Sequence, residues 1–218
     1  MDMSSVNNEN FLGLRRNKYL FLGAHPDDIE LGAGATIAKA TSHGVTCFAG
    51  IFSTFKDSQA SFDLIEESLS ALKILGINKE NTKFFDFPVR NFSDYRQQIL
   101  QTMIDNYGGG FETIFVPSSS DIHQDHAVIS KEALRGFKFS SILGYELPWN
   151  IFDDKKNVYN RITQEHLDLK ISALEKFGSQ RERFYMSSSA TQVIASFRGL
   201  QIKSQYAEAF ELYRGVVG

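Results

Sequence analysis

KYLFLGAHPDDIELG, residues 18–32, decides how the rest of this chain is read. From Lys18 to Ala24 the run is mostly apolar with aromatic residues, and after Lys18 the apolar residues come in succession rather than in alternation. A strand of that kind is buried on both faces, as in a parallel sheet. The run stops at His25, and Asp27 and Asp28 follow across Pro26, whose ring fixes φ and stiffens the turn. From Leu31 to Ser42 the composition shifts to Ala, Gly and Thr, and His43-Gly44 closes a helix.

The same alternation repeats outward. Val45–Ser53, Thr82–Phe87, Thr113–Val116 and Ser141–Leu147 read as further strands, the third of these ending at Pro117. Helices are expected over Ser61–Leu75, Tyr95–Tyr107, Ala127–Phe137, Gln164–Lys176 and Ser187–Gly199. Leu64, Ile65, Leu69, Leu72 and Leu75 have amphipathic spacing, and Gly76 follows as a C-cap. Strands alternating with helices predict βαβ units and an α/β fold with a parallel sheet. Functional sites in such sheets form beyond the carboxyl ends of the strands.

A second polar cluster, Asp121-Ile122-His123-Gln124-Asp125-His126, follows the strand that ends at Pro117. The chain has five histidines, and three of them lie in these two clusters. If the two strands are neighbours, the clusters meet. Two histidines and a carboxylate, with one coordination position left for water, suit catalytic zinc, which lowers the pKa of that water from roughly 15.7 to about 7. On this reading His25, Asp28 and His126 hold the metal. Asp27 is the general base, and His123 stabilises the oxyanion and protonates the leaving amine. Asp125 hydrogen-bonds an imidazole and sets its tautomer. Each cluster alone has a plainer reading: an Asp-Asp pair capping a helix, or a histidine-bearing surface loop.

The remaining candidates are read as structural. His43 ends a helix and His166 is an exposed helix position. Cys47 is a buried thiol, and Gly32 and Gly34 allow close helix–sheet packing, since a full dinucleotide fingerprint is absent. Ser118–Ser120 and Ser187–Ser189 are loop and cap serines. The sequence of 218 residues is 42% hydrophobic and 22% charged with a formal net charge of −3, which offers no electrostatic footprint for nucleic acid. The single cysteine excludes an internal disulfide and fits a reducing compartment. No run of about eighteen apolar residues suggests a membrane span. The segment to Arg16 reads as a loose tail, followed by a single domain over 17–218.

Ala24-His25-Pro26-Asp27-Asp28-Ile29-Glu30-Leu31-Gly32 resembles the opening motif of the PIG-L (LmbE-like) zinc deacetylases, and Asp121–His126 resembles their second motif. Weaker echoes are Glu67-x-x-x-Ala71-x-x-x-Leu75-Gly76, Lys170-x-x-Ala173-Leu174 with Ser179-Gln180, and Tyr206–Phe210. The resemblance implies a Rossmann-like three-layer domain with a mainly parallel sheet and a cytoplasmic enzyme. The implied reaction is zinc-dependent deacetylation of an N-acetylated amino sugar, with nucleotide-linked sugars and polysaccharide pathways among the settings. It carries over the same roles for His25, Asp28, His126, Asp27 and His123. Leu64 and Phe177 stand where the family often has an arginine and a histidine, so Lys56, Arg90 and Arg96 are the candidates for gripping substrate. Zinc is the expected ion, with other divalent transition metals open to the same ligands. The alternatives are an amidohydrolase for a thiol or antibiotic intermediate, and a non-catalytic sugar- or nucleotide-binding protein.

Overall fold

A computed structural model describes residues 18–55 and 61–217. The expected tail over 1–16 and the candidate Lys56 lie outside the described residues.

A seven-stranded sheet carries helices on both faces. The strands are β1 (Lys18–Gly23), β2 (Thr46–Ile51), β3 (Thr82–Phe84), β4 (Phe111–Pro117), β5 (Ser141–Tyr145), β6 (Val158–Ile162) and β7 (Tyr206–Arg214), in the spatial order β3-β2-β1-β4-β5-β7-β6. The first five are mutually parallel, and β7 runs antiparallel between β5 and β6. The helices are α1 (Asp28–Ser42), α2 (Ser61–Ile74), α3 (Arg96–Tyr107), α4 (Gln124–Gly136), α5 (Gln164–Leu174) and α6 (Ser188–Gln201).

The unbroken apolar character of β1 has its cause in this architecture. Tyr19 and Phe21 enter one core with α1, α2 and α5, while Leu20 and Leu22 enter the other with α3 and α4. Phe21 stacks on Phe115 of β4, ring centroids 4.5 Å apart. Burying each such side chain contributes about 1.5–3 kcal/mol. Strand order turns back on itself between β1 and β4, which is the switch point where α/β sheets open a crevice. Both histidine-bearing loops leave the sheet there.

Three readings need correction. β6 and β7 were not expected as strands: β7 carries Glu208 and Glu211, residues poor in strand propensity. Both carboxylates are buried and partnered, Glu208 by Lys170 and the Ala35 and Thr36 N–H groups, Glu211 by Ser118 and Ser119. His166 is buried rather than exposed, because its Nδ1 accepts the Thr163 N–H and completes a capping box at the start of α5. Gly34 faces Lys170 of α5, so it serves helix–helix contact, whereas Gly32 packs under Tyr145 of β5 as expected. Cys47 is buried and His43 caps α1, as the sequence indicates. Among the described residues no helix is long and apolar enough to cross a membrane.

Candidate active site

The β1–α1 loop holds His25 and Asp28 on one tight turn. The backbone N–H of His25 donates to Asp28 Oδ2 at 2.9 Å, which folds the carboxylate back beside the imidazole. Asp27 lies between them at φ 94°, in the left-handed region that costs a non-glycine residue of order 1–3 kcal/mol. That conformation starts α1 without any hydrogen bond from the Asp27 side chain to the helix. Asp27 thus occupies the N-cap position of α1 without capping it through its side chain.

The β4–α4 loop brings the second cluster to the first. His126 Nε2 lies 3.3 Å from His25 Nδ1 and 3.3 Å from Asp28 Oδ2, and His25 Nδ1 lies 3.6 Å from the same oxygen. Three donor atoms thus form a nearly equilateral triangle. A tetrahedral ion with bonds of about 2.0–2.1 Å sets its ligands roughly 3.3–3.4 Å apart, so the triangle fits such an ion almost without adjustment. His123 joins His25 and His126 in a looser group whose ligand atoms span up to 4.8 Å. The tighter triangle with Asp28 is the better match, because the wider group must contract to reach bonding distance.

Each imidazole is braced from behind. His25 Nε2 meets Asp125 Oδ2 at 3.1 Å, and His126 Nδ1 meets Asp121 Oδ2 at 2.8 Å. These contacts turn His25 Nδ1 and His126 Nε2 toward the triangle, the orientation metal-binding histidines use. Asp121 was not singled out from the sequence, although its place five residues before His126 was visible there. Asp125 also accepts the N–H of Arg90 at 2.6 Å and that of Phe92 at 3.3 Å.

The electrostatics are those of a site short of positive charge. Burial opposes charging His25, but hydrogen bonds to Asp125 and Asp28 overcome it and raise its pKa to about 9. Burial likewise opposes charge on His126, and the nearby charge of Asp28 with the hydrogen bond to Asp121 raises it to about 10. Asp28 is also buried, yet His126 and His25 hold its carboxyl far below the usual range. Asp27 goes the other way: burial, with the charges of Asp28 and Glu30, raises it well above ordinary carboxylates, while His25 and Arg183 pull against the rise. Two adjacent carboxyls are driven in opposite directions, Asp27 up and Asp28 down.

His123 is only half-buried and its pKa is lowered, first by burial and then by the charges of His126 and His25. Its Nδ1 accepts the N–H of Asp125, which places the proton of the neutral ring on Nε2. A cavity of about 500 Å³ opens over Asp27, Asp28 and the three histidines. Leu64 and Leu147 form apolar parts of its wall, and Arg90, Arg183, Trp149 and Tyr185 also line it. Arg96 is not among the lining residues. It is tied to buried Glu132, with Nη2 at 2.6 Å and Nε at 2.7 Å from the same oxygen. Phe177 is core, and Glu67 accepts hydrogen bonds from Ser179.

Residues 20–136 match the PIG-L family, GlcNAc-PI de-N-acetylase. A curated relative, the uncharacterized deacetylase YaiS of Escherichia coli strain K12, is 30% identical over 178 residues, covering 76% of this chain and 92% of its own length. Among solved structures, the N,N'-diacetylchitobiose deacetylase of Pyrococcus horikoshii superposes with a TM-score of 0.68 at 19% identity, covering 90% of this chain and 83% of that one. The 4-carboxy-2-hydroxymuconate hydratase of Pseudomonas putida KT2440 gives 0.73 at 18% identity, covering 93% of this chain and 98% of that one. A deacetylase and a hydratase share this fold, so the fold alone does not select the reaction.

Proposed function

The chain belongs to the PIG-L family of deacetylases, and on that premise we propose that it is a metal-dependent N-deacetylase acting on an N-acetylated amino sugar. The observation that carries this reading is the triangle of His25 Nδ1, His126 Nε2 and Asp28 Oδ2, with sides of 3.3, 3.3 and 3.6 Å, beside an uncommitted buried carboxyl at Asp27. Two adjacent buried carboxyls with pKa values displaced in opposite directions favour catalysis over simple binding. The sugar class is supported by the chitobiose deacetylase that shares the fold.

In this mechanism His25, Asp28 and His126 hold a divalent ion, zinc being the expected one. The bound ion supplies Lewis acidity, which lowers the pKa of water and polarises the acyl oxygen. Asp27 takes the proton of the attacking water. His123 donates its Nε2–H to the oxygen that becomes negative as the carbonyl turns tetrahedral. The leaving amine then needs a proton. Because His123 rests neutral with Nδ1 already engaged, we assign that delivery to Asp27 and keep the oxyanion role for His123. Asp125 and Asp121 hold the two ligand imidazoles in the required tautomers.

The test is acetate release from a panel of N-acetylhexosamine derivatives together with metal analysis. Activity should vanish on chelation and return with the ion. Full activity in chelated protein ends the proposal. Asp27→Ala should keep its metal while turnover falls by about 10²–10⁴. Loss of the metal in that variant instead exchanges the roles of Asp27 and Asp28.

A further inference from the structure

Two arginines from different loops line the cavity, each held by a specific contact. Arg90 adopts φ 62°, a left-handed conformation uncommon for residues other than glycine, asparagine and aspartate. The strain is maintained because its N–H donates to Asp125 Oδ2 at 2.6 Å and its carbonyl accepts from Gln124. The loop bearing Arg90 is thereby latched to the carboxylate that braces His25. A glycine here would relieve the strain, so the side chain itself is the reason to look for a role.

Arg183 is held by aromatic contacts instead. Its Nη1 donates to the Tyr185 hydroxyl, and its guanidinium lies 5.8 Å from the centroid of the Tyr185 ring. Tyr185 in turn stacks on Trp149, centroids 3.8 Å apart at 12°. The charge of Arg183 is felt at Asp27. Arg96, Arg135 and Arg198 each meet a carboxylate. Among the described residues no ion pair is made by Arg90 or Arg183, and of five N–H donors per guanidinium Arg183 spends one on Tyr185.

We propose that Arg90 and Arg183 form an anion clamp that selects a substrate carrying a phosphate on its N-acetylated sugar. A carboxylate offers two oxygens and satisfies one guanidinium fork. A phosphate monoester offers three terminal oxygens and can serve two forks arriving from different sides. The clamp rests on the proposed deacetylation, and it names the substrate class for that same cavity.

The experiment compares kcat/KM of the metal-loaded enzyme for N-acetylglucosamine and for its 1- and 6-phosphates, in wild type, Arg90→Gln, Arg183→Gln and Arg183→Lys. One phosphate ester should be preferred to the neutral sugar. That preference should fall by about 10- to 100-fold in each glutamine variant, the usual worth of charge-assisted bonds, and by less in Arg183→Lys. An unchanged ratio of phosphate to neutral sugar in both glutamine variants overturns the clamp while leaving deacetylation intact. If no acetylated sugar is cleaved, inorganic phosphate binding to the metal-loaded protein is measured by calorimetry. Weaker binding in the Arg90→Gln/Arg183→Gln double variant supports the clamp independently of the reaction, and equal binding overturns it.

Discussion

Asp125 Oδ2 lies 3.1 Å from His25 Nε2, joining the first turn of α4 to the loop after β1 across the mouth of the sheet. The same oxygen takes the Arg90 N–H, so one carboxylate both meets an imidazole and anchors a wall of the cavity. Asp125→Asn keeps the shape but weakens the acceptor at that joint. Metal affinity or turnover should drop by about 10- to 100-fold, as for other residues that orient a metal-binding histidine. Chelator competition on the purified variant measures the first, and acetate release the second.

Metal binding should release protons. In the metal-free protein His25 and His126 titrate near 9 and near 10, so both carry protons at neutral pH. A raised pKa means the proton is held below it and lost above it. The ion must therefore displace both protons near pH 7, and its affinity should climb as pH rises toward 9 and weaken as pH falls. Calorimetry in buffers of different ionisation enthalpy counts the protons. A count of zero at pH 7 contradicts the charge state described for the two imidazoles.

Asp27→Asn trades activity for stability. Asparagine tolerates the left-handed backbone at φ 94° about as well as aspartate, and it removes a buried carboxyl crowded by Asp28 and Glu30. The metal-free variant should be more stable than wild type, while turnover of the loaded enzyme falls by about 10²–10⁴. Denaturant melts and initial rates on one preparation check both halves.

Gly32→Ala should damage the fold. A Cβ at residue 32 falls 2.1 Å from Cδ2 of Tyr145, a ring that is fully buried and tied by its hydroxyl to the Leu22 carbonyl at 2.9 Å. Overpacking of this kind costs about 1–3 kcal/mol. The midpoint of urea unfolding should fall. Unchanged stability means α1 can shift away from β5.

Cys47 should be chemically silent. Burial raises its thiol to about 12, and the side chain is almost fully enclosed. The thiolate is the reactive form, so an alkylating reagent at pH 8 should label the native protein slowly and the unfolded protein fast. Mass spectrometry of both states gives the two rates.

What could be read from the chain follows from local chemistry. The unbroken apolar run at Tyr19–Leu22 signals a strand covered on both sides, and such strands belong to parallel sheets flanked by helices. Histidine and aspartate clusters beginning where such strands end announce a site at the carboxyl edge. β7 escaped because buried Glu208 and Glu211 are supported by partners far along the chain, such as Lys170 and Ser118, and no local propensity encodes a distant partner. Arg183 escaped for the same reason, since its place in the cavity depends on Tyr185 stacking on Trp149.

The order of residues along the chain was thus enough for the layered architecture and for the chemical types at the site, because periodicity and residue type act over a few neighbours. The pairing of β1 with β4 belongs to the folded molecule alone. It sets Nδ1 of one imidazole, Nε2 of another and a carboxylate oxygen within 3.6 Å of one another. Distances of that size between remote loops arise only when the packed cores on both faces hold the strands in register.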